Sequence, residues 1–300
     1  MELWVAFTIA AAFFQTVRFM LQKMLSTSTL SPGGATFARF LYSAPLILVL
    51  MAMYLGLNEV AIPLTSLRYW IFALSGGLAQ ILATVCVIIL FQARNFAVGI
   101  TFKKTEVIQT ALVGFIVLGE RITGTGFVVI LFGLFGVLLL SEMPGLHGAW
   151  FRRIGNRASA LGVLSGFLFA VSGICYRGAS LEIASPDPLL RAGFTLACVT
   201  TAQMLGMALW LRLFEPGQIT DLWATRRSAA WIGLTSMTGS FCWFVAFTLQ
   251  NVAYVNALGQ IELIFSLLVT VLFFGERVTK REILGLLVLS GSILGLLLVI

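Results

Sequence analysis

The sequence predicts an all-α polytopic membrane protein, with ten transmembrane helices forming two inverted five-helix repeats. Three observations carry that prediction. The first is composition: 59% of the 300 residues are hydrophobic and 10% are charged, with a mean hydropathy of +1.01. So little polar surface cannot cover a soluble globule, whereas a bilayer favours an apolar exterior. The second is punctuation, which divides the chain into ten apolar pieces of about 20 residues, the length that crosses roughly 30 Å of hydrocarbon. The third is an internal duplication.

Taken in order, the first span lies near 3–22 and has no basic segment ahead of its apolar run, so it reads as a retained helix rather than a cleaved signal. Ser31-Pro32-Gly33-Gly34 precedes a second span at 36–56, and Pro63 precedes a third at 69–92. Only the residues around Arg94-Asn95 separate the third span from the fourth, at 97–118, which makes them antiparallel neighbours. The fifth, 125–141, ends before Met143-Pro144-Gly145. The sixth covers 158–177, and the seventh, 188–211, follows Pro186-Asp187-Pro188. The eighth, ninth and tenth lie at 229–249, 252–274 and 282–300, with a connection of a few residues around Asn251 between eighth and ninth. Membrane strands would show segments of about 10 residues alternating in polarity, and this chain has none. The connections 142–157 and 212–228 are too short to form domains, so function is expected among the helices.

The duplication is read by aligning 95–123 with 251–279 without a gap. Ten positions of 29 coincide: Asn95/Asn251, Ala97/Ala253, Glu106/Glu262, Ile108/Ile264, Leu112/Leu268, Val113/Val269, Gly119-Glu120-Arg121 with Gly275-Glu276-Arg277, and Thr123/Thr279. A mid-helix glutamate and a repeated GER-x-T turn are not products of shared apolar composition. Residues 1–141 form the first repeat, 142–157 a linker and 158–300 the second repeat. Five spans per copy bring the second copy into the membrane from the opposite side. Inverted duplication is a common plan of secondary transporters, because two similar halves can exchange conformations around a midplane site.

Charge placement sets the orientation. The net charge of +7 is spread between apolar runs rather than along one stripe, so it signals topology and not nucleic acid. With Arg18, Arg39, Lys103, Lys104 and Arg191 assigned to the membrane, one face collects Lys23, Arg94, Arg152, Arg153, Arg157, Arg212, Arg226, Arg227, Arg277, Lys280 and Arg281. The other holds Arg68, Arg121 and Arg177. The richer face is cytoplasmic by the positive-inside rule, and both termini are then periplasmic. The four cysteines show no CxxC spacing, and His147 is the one histidine. No metal site, cofactor or histidine-based nucleophile is expected. No G-x-x-x-x-G-K-[ST] motif occurs either, so transport would draw on a gradient.

The sequence resembles the EamA-type members of the drug/metabolite transporter superfamily, bacterial ten-helix carriers built of two five-helix repeats. The resemblance is carried by Arg39-Phe40-Leu41 and Arg191-Ala192-Gly193 opening the second helix of each half, by Glu106 and Glu262, and by Leu118-Gly119-Glu120-Arg121-Ile122-Thr123 and Phe274-Gly275-Glu276-Arg277-Val278-Thr279. It covers essentially the whole chain. The sequence departs from the family pattern at Gln260-Ile261-Glu262-Leu263, where proline often follows the glutamate, and at Lys103-Lys104. The resemblance implies a bacterial inner-membrane carrier and metabolite or amino-acid export.

Charged groups inside a membrane cost about 2.5–3.5 kcal/mol each and are functional candidates by default. The expected substrate site therefore comprises Lys103, Lys104, Glu106, Glu262, Arg39 and Arg191, with Asn256, Gln260, Gln80, Trp243 and Tyr254; Gln15, Tyr176 and Gln203 are further lining candidates. Arg18, Arg39 and Arg191 could equally snorkel to headgroups. Lys103, Glu106 and Thr110 share a helix face at i, i+3 and i+7, so Glu106 is expected to be paired and ionised. The matching face of the second copy is Gly259, Glu262 and Ser266, which leaves Glu262 without a cation one turn away and makes it the proton-coupling candidate. The leading reading is a secondary carrier of small polar metabolites, amino acids or related zwitterions, working by alternating access. It needs a small-molecule substrate and a lipid bilayer, and requires neither nucleic acid nor an oligomer. The alternative is a flippase for lipid-linked or phospholipid headgroups, or a membrane enzyme, in which the same cations hold phosphate.

Overall fold

The computed structural model describes residues 2–26, 30–92, 102–140, 157–224, 226–265, 267–268 and 279–299, and their regular structure is entirely helical. The first half contains α1 (Leu3–Ser26), α2 (Pro32–Leu57), α3 (Leu67–Gln92), α4 (Glu106–Leu118) and α5 (Gly124–Leu140). The second contains α6 (Arg157–Leu181), α7 (Pro188–Phe214), the short α8 (Gln218–Ala224), α9 (Arg226–Leu249), α10 (Val252–Gly259) and α11 (Lys280–Val299). Seven of these segments, in α1, α2, α3, α6, α7, α9 and α11, are long and apolar enough to cross a membrane; α4, α5 and the stretch Val252–Phe265 are shorter apolar helices. The fourth, fifth and ninth expected spans run into residues 93–101, 141 and 269–274, which lie outside the described residues.

Local chemistry sets the helix ends. Ser31 caps α2, its Oγ accepting from Gly34 N–H at 2.9 Å, with Pro32 in the first turn. Asp187 caps α7 in the same way through Leu189 N–H at 2.9 Å, followed by Pro188. The GER-x-T turn is a stop and a start in one motif. Gly119 ends α4 with φ of 69°, a left-handed conformation that a side chain would strain. Four residues later Thr123 caps α5, its Oγ1 accepting from Gly126 N–H at 3.1 Å. In the second copy Thr279 and Glu282 form a reciprocal capping box: Thr279 N–H donates to the Glu282 carboxylate at 2.6 Å, and Glu282 N–H to Thr279 Oγ1 at 3.2 Å.

The helices interlock across the halves. The most extensive packing is of α3 on α6, α1 on α9, α5 on α11 and α2 on α7, and every one of these pairs joins the first half to the second. Close approach needs small residues: a Cβ on Gly136 of α5 would lie 2.7 Å from the backbone nitrogen of Leu289 in α11, and one on Gly285 would lie 3.1 Å from the Gly136 carbonyl. Polarity is inverted relative to a soluble domain. Large apolar side chains such as Ile116, Val128, Leu287 and Leu298 point outward, while Arg18, Arg39, Lys103, Lys104 and Gln203 are buried.

Candidate functional site

The two fourth helices of the repeat are not continuous, as their apolar lengths led us to expect. The first breaks at Lys104-Thr105 and the second at Gln260-Ile261, positions that coincide in the alignment of the copies. The hydrogen bonds at the breaks match one for one. Thr105 N–H donates to Phe102 O at 3.1 Å and Ile261 N–H to Leu258 O at 3.0 Å; Ile108 N–H donates to Thr105 O at 3.1 Å and Ile264 N–H to Ile261 O at 3.0 Å. These i→i−3 bonds tighten the turn, and the disturbed carbonyls need other partners. The Asn256 carbonyl accepts the side-chain amide of Gln260 at 3.1 Å. The Lys103 carbonyl faces Gly166 of α6, where a Cβ would approach it to 2.8 Å.

A cavity lies against both breaks. It is lined by Gln15 and Arg18 from α1, Arg39 from α2, Gln80 from α3, Lys103 and Glu106, residues of α6 including Phe169 and Tyr176, residues of α9 including Ser240 and Trp243, and Asn256, Gly259, Gln260 and Glu262. Its space free of atoms is about 650 Å³ with adjoining open solvent included.

Two ion pairs define the floor. Lys103 Nζ meets Glu106 Oε2 at 3.0 Å, the pairing expected from helical spacing, and it does so across the break. Asn256 Nδ2 lies 3.5 Å from the other Glu106 oxygen and donates to Thr110 Oγ1 at 3.0 Å. The second pair joins Lys104 to Glu262 and links the two broken helices directly. Gln15 Nε2 donates to the remaining Glu262 oxygen at 2.6 Å, and Gln15 Oε1 accepts from Trp243 Nε1 at 3.1 Å. Glu262 therefore does not stand without a cation. The sequence expectation considered its own helix, and the partner arrives from the other repeat, so the difference in environment that singled out Glu262 for proton coupling is absent.

The wall carries Arg39 among neutral hydrogen-bonding groups. Arg39 donates to Ser236 at 2.8 Å, Ser240 at 2.9 Å and Thr84 at 3.4 Å. Gln80 Oε1 accepts from Tyr176 OH and from Gln203 Nε2, each at 3.0 Å. Tyr176 stacks on Phe244 with centroids 4.3 Å apart, and Lys103 Nζ lies 4.8 Å from the Phe169 ring centre.

Of the residues the sequence singled out, Arg39, Gln80, Lys103, Glu106, Trp243, Asn256, Gln260 and Glu262 come together around the cavity, with Lys104 behind Glu262. Arg191 and Tyr254 do not. Arg191 sits in the first turn of α7 and donates to the Ser180 carbonyl at 2.8 Å. Tyr254 OH accepts from Thr123 N–H at 3.1 Å, the role that Glu282 fills for Thr279 in the second copy. Arg177, expected in an outer connection, lies within α6 because that helix continues to Leu181; it pairs with Glu120 and donates to the Gln250 carbonyl at 2.8 Å and to that of Phe247. Ser172, Ser240, Phe169, Phe244 and Phe247 also line the cavity. Serines and phenylalanines recur throughout the spans, so no spacing in the sequence marks these five.

Buried charges around a polar cavity, inside a protein whose outer surface is apolar, define a membrane protein built to receive a small solute within its helices. The chain belongs to the EamA-like transporter family, whose model matches residues 2–142 and again 156–299. It is a multi-pass membrane transporter of small molecules, from a family of transporters rather than enzymes. A solved structure titled only "Crystal structure of protein" matches with a TM-score of 0.68 over 97% of this chain and 99% of that one, at 16% identity, and this likeness shows the fold. No curated protein matches in sequence.

Proposed function

We propose that the protein is a secondary carrier that moves small polar metabolites across the bacterial inner membrane by alternating access. In this reading it has ten transmembrane helices as two inverted five-helix repeats, with both termini periplasmic. The observation that carries the proposal is the Lys104–Glu262 pair, which joins two helices broken at corresponding positions of the two repeats and borders the charged cavity. Discontinuous helices at a repeat interface expose backbone and side-chain polar groups to a solute in the membrane interior. A pair that spans the interface is remade when the halves move, which connects site and motion.

The test is uptake and counterflow by purified protein in liposomes, against amino acids, organic acids, amines, sugar phosphates and cationic drugs, with and without a pH gradient. Saturable exchange of at least one small metabolite is the expected result. Movement of a fluorescent phospholipid between leaflets with no solute exchange would replace the carrier with a flippase.

A further inference from the structure

The charges around the cavity do not balance, and we infer that the substrate is a net anion whose acid group is held by Arg18 of α1 and Arg39 of α2. The inference rests on the carrier reading and narrows its substrate from the zwitterions expected from the sequence to a net anion. Lys103 is matched by Glu106 and Lys104 by Glu262. Arg18 and Arg39 line the same cavity, at 3% and 4% exposure, and neither is within ion-pairing distance of a carboxylate among the described residues. Four cations thus meet two carboxylates.

The two arginines are held differently. Arg39 is oriented by the hydroxyls of Ser236, Ser240 and Thr84, which fix its plane and cancel none of its charge. Arg18 has a buried Nη1 with no hydrogen-bond partner among the described residues. An unmatched N–H on a buried cation is costly, and water or an anion relieves that cost. A carboxylate or phosphate fits best, because its two oxygens match the planar fork of a guanidinium. An ammonium group finds no free carboxylate among the described lining residues, and the unpartnered acceptor there, Gln260 Oε1, is a neutral amide oxygen. Glu106 is occupied by Lys103, and the two oxygens of Glu262 are taken by Lys104 and Gln15.

The experiment is exchange by proteoliposomes of labelled lactate, malonate, alanine and ethanolamine, which are similar in size and differ in charge. Wild-type protein should exchange lactate or malonate in preference to alanine, and should ignore ethanolamine. Arg18→Glu should reduce malonate exchange about 10- to 100-fold, the worth of a charged hydrogen bond, and raise alanine exchange, a gain that a misfolded protein cannot show. Arg39→Gln, as a second variant, should lower the malonate-to-alanine ratio at least about tenfold. Wild-type exchange of alanine or ethanolamine with neither acid moved would overturn the anion assignment and leave the carrier standing. So would unchanged ratios in both variants. A wild-type protein that exchanges no metabolite at all, in this set or the wider one, would remove the carrier reading itself.

Discussion

Replacing Lys104 and Glu262 by methionine, singly and together, separates what the inter-repeat pair does for stability from what it does for transport. The side chains are 4% and 13% exposed, so removing either partner leaves a buried charge, a loss of about 3–5 kcal/mol in soluble proteins. The two single variants are not equivalent. In Lys104→Met the Glu262 carboxylate keeps the Gln15 amide at 2.6 Å, a charged hydrogen bond worth about 1.5–3 kcal/mol, so the net loss should be about 2 kcal/mol. In Glu262→Met the ammonium of Lys104 loses its carboxylate, and the loss should approach the full 3–5 kcal/mol. The double variant replaces a buried pair by two apolar side chains and should return to within about 1 kcal/mol of wild type. Unfolding in detergent micelles measures the stabilities and proteoliposome exchange measures function. All three variants should lose exchange, the double variant while stable. Additive losses in the double variant would refute the pairing, equal losses in the two singles would refute the compensation by Gln15, and a double variant with normal exchange would remove the pair from the transport cycle.

Glu106→Gln should reduce exchange at least about tenfold at unchanged expression, because Lys103 loses its carboxylate; Glu262→Gln should do the same rather than abolish pH dependence alone. Gly166→Ala should destabilise the protein by about 1–3 kcal/mol in the same unfolding assay, since the added Cβ meets the Lys103 carbonyl at 2.8 Å and backbone cannot move aside cheaply. Arg177→Gln should lower Tm strongly while leaving the substrate preference of the surviving protein unchanged, because it breaks the Glu120 pair and uncaps the end of α9. A cysteine placed between residues 151 and 157 should be labelled from the cytoplasmic side and one added beyond Ile300 from the periplasmic side; labelling of both from one side would undo the ten-span, inverted arrangement.

Much of the fold was legible because it depends on composition, punctuation and self-similarity, all of which are properties of the sequence itself. The expected starts of the second and seventh spans fall within a few residues of α2 and α7, because Ser31-Pro32 and Asp187-Pro188 are caps with a local mechanism. The site was legible as a list of residues and much less as a set of partners. Lys103–Glu106 is three residues apart and follows from helix geometry, whereas Lys104–Glu262 is 158 residues apart and depends on how the halves pack. Tyr254 was misplaced for a related reason. A tyrosine in an apolar span looks like a cavity group, and only the tertiary structure brings its hydroxyl to Thr123, the capping residue of a distant helix. The helix breaks were hidden as well, since Lys104-Thr105 and Gln260-Ile261 contain neither glycine nor proline and the signal exists only in their shared position in the repeat.

The repeat is symmetric in backbone and asymmetric in charge, and that difference bears on the proposed cycle. Each copy keeps its glutamate, at 106 and 262, but both lysines belong to the first copy, where the second has Gly259 and Gln260. One carboxylate is therefore matched within its own helix and the other across the interface. Movement of the halves would carry the Lys103–Glu106 pair along unchanged, because both members ride on the same segment. It would separate Lys104 from Glu262. Leaving both charges unmatched in a membrane interior is unfavourable by several kcal/mol, enough to hold an empty carrier in one state. An anionic substrate held beside this pair by Arg18 and Arg39 can neutralise Lys104 as Glu262 withdraws, which a neutral solute cannot do. On this basis the loaded carrier should switch faster than the empty one, so exchange of labelled malonate against internal malonate should outpace its net efflux into malonate-free buffer. Equal rates for the two would mean that the Lys104–Glu262 pair does not restrain the empty protein.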